Sequence, residues 1–461
     1  MDRSTDEDGA NGTDESGYPD MVRGPAHTLV GGPPHRGARI VLVVGVLAGL
    51  VYLVHKLTTE AWMVGVDFRV YRGAAEMILS TGTVYGPSQI GIPGLSYRYP
   101  PVVLLGFAPS VLVPWRVGYV VHTLVVLAAS LALSRLLVRY VTARGVELTR
   151  VDETLVAAFV VTSVHAMPSM VFGQVNHFVA LGLALGFIWL DRGRETRAGA
   201  AFALAALPKV FPAAVGVWLL RRRAYRAVGS ALATGFGLLG VGLVVFGPDV
   251  SRRWVTEELL ARMQPEQFAG GLSPSAHVVT IRRPLSVLFP TVDPSLYSLG
   301  ALVLLAPILG YLLLDVGGDS DGSATETEAR FESEASVDGG YPVSDVDSEL
   351  ARPVAVFGIL ASILLFFPSS PLYVVYLYFP LVALLYLFEG PGRSLFLVGA
   401  FLLNWTVYRD DLVMVLSETP PGGVPDDAIL SVLGPVFTLG SPMLYGFALM
   451  VAGCVRWRYS T

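Results

Sequence analysis

Asp67 stands just past the first apolar run of the chain and opens the stretch Asp67-Phe68-Arg69-Val70-Tyr71, and a polar segment then closes on Tyr97-Arg98-Tyr99-Pro100-Pro101. A carboxylate at a membrane boundary is costly to desolvate and is usually retained because it functions. Kept ionised within hydrogen-bond reach of a hydroxyl, it can act as a general base. Lys209 lies between Pro208 and Pro212 in an otherwise apolar segment. Its ammonium suits a phosphate, and the prolines free backbone groups that also need a polar environment. Gln174, Asn176 and His177 follow Gly173 as a polar patch, and His277 shares a later loop with Arg282 and Arg283. Arg69, Tyr71, Arg98 and Tyr99 complete the candidate substrate-binding set.

Each of these residues also has a plainer reading. Asp67 is a good helix N-cap or a partner for Arg69 or Arg72. Lys209 could snorkel, and the 174–177 patch could be a hydrated hairpin turn. Arg98 and Tyr99 suit the depth at which interface anchors sit. His277 could simply be an exposed loop residue.

The elements that must position these groups are membrane-spanning. Of 461 residues, 53% are hydrophobic and 15% charged, against roughly 25% charged in soluble domains. Apolar runs of the length that crosses about 30 Å of hydrocarbon recur along the chain. They fall near 38–56, 116–138, 154–172, 174–190, 198–220, 227–246, 295–315, 353–368, 371–388, 395–412 and 429–453. The expectation is an all-α polytopic protein with a helical first extracytoplasmic loop. It divides into an acidic, disordered cytoplasmic tail over 1–37, a membrane core over 38–315, an acidic cytoplasmic loop over 316–352, and C-terminal transmembrane helices over 353–461.

Arginines at 23, 36 and 39 precede the first run, and basic clusters recur at 135–150, 192–197 and 221–226. By the positive-inside rule all of these face the cytoplasm, so the N-terminus is cytoplasmic. Two consequences follow. Residues 100–114, broken by four prolines, read as a juxtamembrane or re-entrant segment. Residues 198–220, flanked by basic residues on both sides, should enter and return with Lys209 near the outer turn. Asp67, the 174–177 patch and Lys209 then share the outer side, although none of them was used to set the orientation.

Several function classes are excluded or disfavoured. Cys454 is the lone cysteine, so a disulfide framework is impossible within the chain. Asp410 and Asp411 adjoin but have no nearby histidine, so no metal site is expected. No phosphate-binding loop or dinucleotide glycine fingerprint occurs, and the short arginine clusters give nucleic-acid binding no support.

Taken in order, the Asp67–Tyr71 stretch, Gly82-Thr83-Val84-Tyr85, Tyr97–Pro101, Gly173-Gln174-Val175-Asn176 and Pro208-Lys209-Val210-Phe211-Pro212 resemble the integral-membrane glycosyltransferases of family 87, within the GT-C superfamily. The resemblance covers roughly residues 40–290; beyond that only hydropathy agrees. It implies a GT-C-type bundle of about 11–13 transmembrane helices in the cell membrane, with an extracytoplasmic active site. It also implies a polyprenyl- or dolichyl-phosphate-linked sugar donor, typically mannose, and a glycan or glycolipid acceptor; attack opposite the phosphate would invert the anomeric carbon, and with no metal-ligand cluster in the sequence no cofactor is expected. Asp67 maps onto the catalytic base. Lys209 is the first candidate to stabilise the leaving phosphate, with His177, Arg98 and His277 behind it. Gln174 and Asn176 are suited to sugar hydroxyls, and the donor's lipid tail would lie between spans.

A polytopic lipid or sugar transporter is the main alternative, because broken helices and intramembrane charge occur there too. Against it, the two halves of the chain show no internal repeat. GT-C enzymes that pair two acids in the first outer loop fit poorly, since Glu76 lies nine residues beyond Asp67.

Overall fold

The computed structural model describes residues 35–86, 88–260, 266–314, 346–418 and 426–460. The chain divides into a unit over residues 1–36 and a compact unit over 37–461 that carries everything below. The acidic tail and most of the acidic 316–352 loop lie outside the described residues.

Helix α1 (Arg36–Thr59) leads to α2 (Val66–Thr81). The α2 helix buries Val66, Val70, Tyr71, Ala74 and Ala75 on one face, the spacing of an amphipathic helix. It stops at Gly82, whose φ of 71° is open to glycine and whose N–H bonds back to the Ile78 carbonyl. The proline-rich stretch that follows folds as two short 3₁₀ segments, Pro101–Gly106 and Ala108–Leu112. Neither is long enough to span a membrane, as the spacing of the prolines predicts.

Helix α3 (Trp115–Thr142) crosses the unit, then α4 (Arg150–Thr162) and α5 (Ala166–Phe172) form one path bent by 48°. Helix α6 (Asn176–Asp191) returns. Helices α7 (Glu195–Ala206) and α8 (Val215–Arg221) flank the break that holds Lys209, and α9 (Tyr225–Phe246) packs along them. The following segments are α10 (Pro248–Arg253), a π-helical turn over Trp254–Leu260, α11 (Arg282–Leu288) and α12 (Pro294–Leu312). After the loop come α13 (Val346–Phe366), a 3₁₀ segment Pro371–Leu377 that runs into α14 (Tyr378–Leu387), and α15 (Arg393–Leu403). The chain ends in α16 (Arg409–Glu418), α17 (Asp426–Leu439) and α18 (Pro442–Ser460).

Four of these helices are long and apolar enough to cross a membrane, or six if each bent pair counts as one span. Five shorter apolar helices accompany them among the described residues. A count of 11–13 crossings therefore depends on including the short ones. The expected span 395–412 is not continuous, because α15 ends at Leu403 and α16 starts afresh at Arg409. Helices α15 and α18 pack backbone against backbone: a Cβ added at Gly399 would come within 2.5 Å of the Gly446 carbonyl oxygen. Only glycine permits that approach.

One end of the bundle is tied by ion pairs. Arg39 of α1 forks onto Asp152 of α4 with both contacts at 2.8 Å. Asp191, ending α6, faces Arg144, Arg222 and Arg352 at 3.6, 3.9 and 3.9 Å. Those arginines come from the ends of α3 and α8 and the start of α13. Since Arg222 returns to Asp191, four residues ahead of α7, the α7–α8 segment enters the bundle and comes back. This is the re-entry that the basic flanks of 198–220 predict. The Lys209 break therefore lies away from the basic end, as do Asp67 and the α5–α6 turn.

Candidate active site

Asp67 sits in the first turn of α2, where the helix dipole favours an ionised carboxylate. It does not cap the helix: Gly65, at φ 67°, holds the N-cap position and no side-chain cap bond forms. It does not pair with the nearby arginines either. Arg69 donates to the Trp62 carbonyl and lies over Trp115, and Arg72 pairs with Glu76 and bonds the Ser110 and Val113 carbonyls.

The partner of Asp67 is Gln174, whose Nε2 donates to Oδ2 at 2.6 Å. Gln174 is held in turn, since its Oε1 accepts from Asn176 Nδ2 at 2.9 Å. The same amide nitrogen reaches Ser169 Oγ at 2.9 Å, and the Tyr376 hydroxyl donates to Asn176 Oδ1 at 2.6 Å. A relay thus runs from α2 through the α5–α6 turn to the 3₁₀ segment 371–377. Gly173 makes the turn possible. Its φ is 75°, and a Cβ there would meet the Phe68 Cβ at 2.7 Å. Backbone contacts fix the approach of the two elements, with the Gly65 N–H on the Val171 carbonyl and the Tyr119 hydroxyl on those of Met170 and Val171.

Lys209 lies over the ring of Tyr373, its Nζ 3.9 Å from the centroid. Tyr373 stacks on Tyr376 at 5.7 Å with an 8° interplanar angle, because residues three apart eclipse in a 3₁₀ helix. Burial pushes the Asp67 carboxyl above its ordinary value, while the Gln174 hydrogen bond and then the charges of Lys209 and Arg98 pull it back. These three groups therefore act on one carboxylate. Tyr71 and Tyr99, hydroxyl to hydroxyl at 2.8 Å, wall the same space, and burial raises both hydroxyls so that they stay neutral. Arg98 is exposed at the rim and donates to the Gly94 carbonyl.

The structure thus gathers Asp67, Gln174, Asn176, Lys209, Tyr71, Tyr99 and Arg98. Three expected residues stand elsewhere. His177 is fully buried and its ring faces the Val160 carbonyl of α4, because neighbours on a helix point about 100° apart and Asn176 takes the inward position. Arg69 faces Trp62 and Trp115. His277 stacks on Tyr408 at 4.4 Å, in a separate group with Arg283. Among the described residues no cluster of three or more metal-ligating side chains occurs.

Sequence reasoning missed Tyr373, Tyr376 and Ser169. The available signal was Pro371 followed by tyrosines three residues apart, the spacing that stacks rings in a 3₁₀ helix.

Beside the Lys209 break a cavity of about 440 Å³ runs between α7, α8 and α9. Its floor is small and apolar (Ala203, Ala206, Gly216, Gly235), and Pro100 and Trp254 from the first and later loops border it too. The outer face of α9 is exposed and apolar, with Phe236 and Val244 at 69% and 84% exposure. Such a face belongs against lipid.

Residues 97–323 match the family model described as glycosyltransferase family 87. That range takes in Tyr97–Pro101, the 174–177 turn and Lys209, and begins after Asp67. A curated protein of Mycolicibacterium smegmatis is 29% identical over 230 residues, 49% of this chain and 53% of that protein. It is named a polyprenol-phosphate-mannose-dependent alpha-(1-2)-phosphatidylinositol pentamannoside mannosyltransferase. The match spans about half the length of that relative. No solved structure matches the chain.

Proposed function

On the premise that this chain belongs to glycosyltransferase family 87, we propose that it is an inverting membrane glycosyltransferase. It moves a hexose, with mannose suggested by the name of its relative, from a polyprenyl- or dolichyl-phosphate donor to a hydroxyl of a glycan or glycolipid. The observation that carries this reading is the Asp67–Gln174–Asn176–Tyr376 relay, with the Lys209 ammonium acting on the same carboxylate.

Gln174 engages Oδ2 of Asp67, which leaves Oδ1 to receive a proton. The acceptor hydroxyl gives its proton to Oδ1 as its oxygen attacks the anomeric carbon. Attack comes from the face opposite the phosphate, the carbon–oxygen bond to the phosphate breaks, and its electron pair leaves with the lipid phosphate. Configuration inverts. A phosphate needs no strong acid to leave but does need positive charge, and preorganised charge in a water-poor site supplies it well. Lys209, steadied on Tyr373, has that role. The apolar cavity between α7 and α9 takes the first units of the prenyl chain. With the basic end in the cytoplasm, the site faces outward.

The test is transfer of labelled mannose from polyprenyl-phosphate mannose by the purified full chain, wild type against Asp67→Asn. Asparagine keeps the shape and the Gln174 contact but is no base. General-base removal costs roughly 10²–10⁴ in rate, so the variant should bind donor and transfer at least about a hundredfold more slowly. Equal rates would end the assignment of Asp67. A wild type that transfers no sugar but moves a lipid across vesicles would replace the whole reading with transport.

A further inference from the structure

Arg282 starts α11 and is only 9% exposed. Its Nε is buried without an acceptor, and no hydrogen bond or ion pair joins its guanidinium to any described residue. Only aromatic rings hold it: the guanidinium carbon lies 4.6 Å from the Phe366 centroid and 5.8 Å from that of Phe268. Its neighbour Arg283 is different, since it donates to the carbonyls of Ser273, Pro274 and Ala276 and so closes its own loop.

The backbone under Arg282 is fixed. Its N–H donates to Thr280 Oγ1, and that hydroxyl donates to the Leu365 carbonyl at 2.9 Å. Ile281 N–H bonds the same carbonyl, and Val279 pairs with Ser369 in both directions at 2.8 and 3.1 Å. These ties anchor the loop to the end of α13 and to Ser369, four residues ahead of Tyr373. From there an unbroken row of rings leads to the site: Phe366 on Phe367 at 5.1 Å, Phe367 on Phe211 at 6.2 Å, and Phe211 on Tyr373 at 5.5 Å. Lys209 stands at the far end of the row, so Arg282 and Lys209 are separate cations on one aromatic wall.

Buried arginines are normally paired, and stacking on rings recovers only part of what hydration gave. A rigidly mounted guanidinium with no acceptor among the described residues is therefore suited to an anion, since its fork matches the geometry of phosphate oxygens. We propose that Arg282 is an oxyanion-binding residue of the substrate site, taking a phosphate or phosphodiester oxygen. The inference rests on the glycosyl-transfer reading for the identity of the ligand. Two sources share that chemistry, the monoester of the donor lipid and a phosphodiester in an acceptor lipid.

The experiment is equilibrium binding to the purified full chain in nanodiscs, with undecaprenyl phosphate and glycerophosphoinositol as probes. Wild type is compared with Arg282→Gln and Arg282→Lys, each checked for an unchanged thermal midpoint. Arg282→Gln should weaken one probe at least tenfold, and which probe weakens identifies the source. Arg282→Lys keeps the charge but loses the fork, so it should weaken the same probe three- to tenfold; it decides the matter alone if the glutamine variant does not fold. The proposal is overturned if the folded variants bind both probes as wild type does, or if wild type binds neither. Sugar transfer is measured in parallel. A wild type that needs Arg282 for the probe yet transfers nothing leaves this inference standing and sinks the transferase reading. Transfer with no dependence of binding on Arg282 does the reverse.

Discussion

At the scale of single residues, Asp67 is set by opposed influences. Burial raises its pKa above the ordinary carboxylate value; the Gln174 hydrogen bond, Lys209 and Arg98 lower it. A base works ionised, so kcat/KM should fall as pH drops through that raised pKa, earlier than for an exposed aspartate. Lys209→Gln removes one of the lowering influences. Its acid limb should therefore move to higher pH, and its plateau should drop about 10²–10³-fold through loss of charge at the leaving phosphate. An acid limb that stays put would mean that Lys209 does not act on Asp67. Tyr376→Phe tests the far end of the relay. It leaves the fully buried Asn176 oxygen without its donor, which costs about 1–3 kcal/mol. The expected outcome is about tenfold lower kcat/KM with the fold retained, whereas unchanged kinetics would confine the relay to a structural role.

At the scale of elements, the break between α7 and α8 does two things at once. Pro208 and Pro212 prevent a continuous helix, so Lys209 is presented from a turn, and the same gap opens the cavity against α9. Gly235 on that cavity has nothing within 4 Å of where a Cβ would stand. Gly235→Phe should therefore fill the space without disturbing the fold. If the cavity takes the prenyl chain, this variant loses transfer from a full-length donor at least tenfold but keeps it from a donor of two isoprene units. Equal loss with both donors would place the prenyl chain elsewhere. The 3₁₀ segment 371–377 also acts as a unit, since its period of three aligns Tyr373 under Lys209 and Tyr376 on Asn176.

At the scale of the whole molecule, the basic end clamps the helices whose opposite ends build the site. Asp191 is a carboxylate that Arg144, Arg222 and Arg352 share, at distances of 3.6 to 3.9 Å. These contacts are long and the arginines are partly exposed, so their worth lies well below that of a tight buried pair. Asp191→Asn nonetheless removes the carboxylate that these three cations share. A cost of about 1–3 kcal/mol is expected, read as a lower midpoint of thermal inactivation with kcat at low temperature nearly unchanged. An unaltered midpoint would show that the clamp contributes nothing.

The class of molecule was legible in the order of residues alone, because apolar runs and arginine placement are local signals that hydrocarbon and membrane charge asymmetry read directly. That order also marked Asp67, Gln174, Asn176 and Lys209, whose polarity stands out against apolar surroundings, and the re-entry of 198–220, which its basic flanks require. Which neighbour points inward depended on how the helices pack. Asn176 joins the relay while His177 turns to Val160, a distinction of one helical step that composition cannot carry. Folding also brought residues 371–377 to the site and tied residues 279–281 to Leu365 and Ser369, just ahead of that segment. Tyr373, Tyr376 and Arg282 lie far along the chain from Asp67, and ordinary aromatic and basic residues acquire a role only through the groups packed against them.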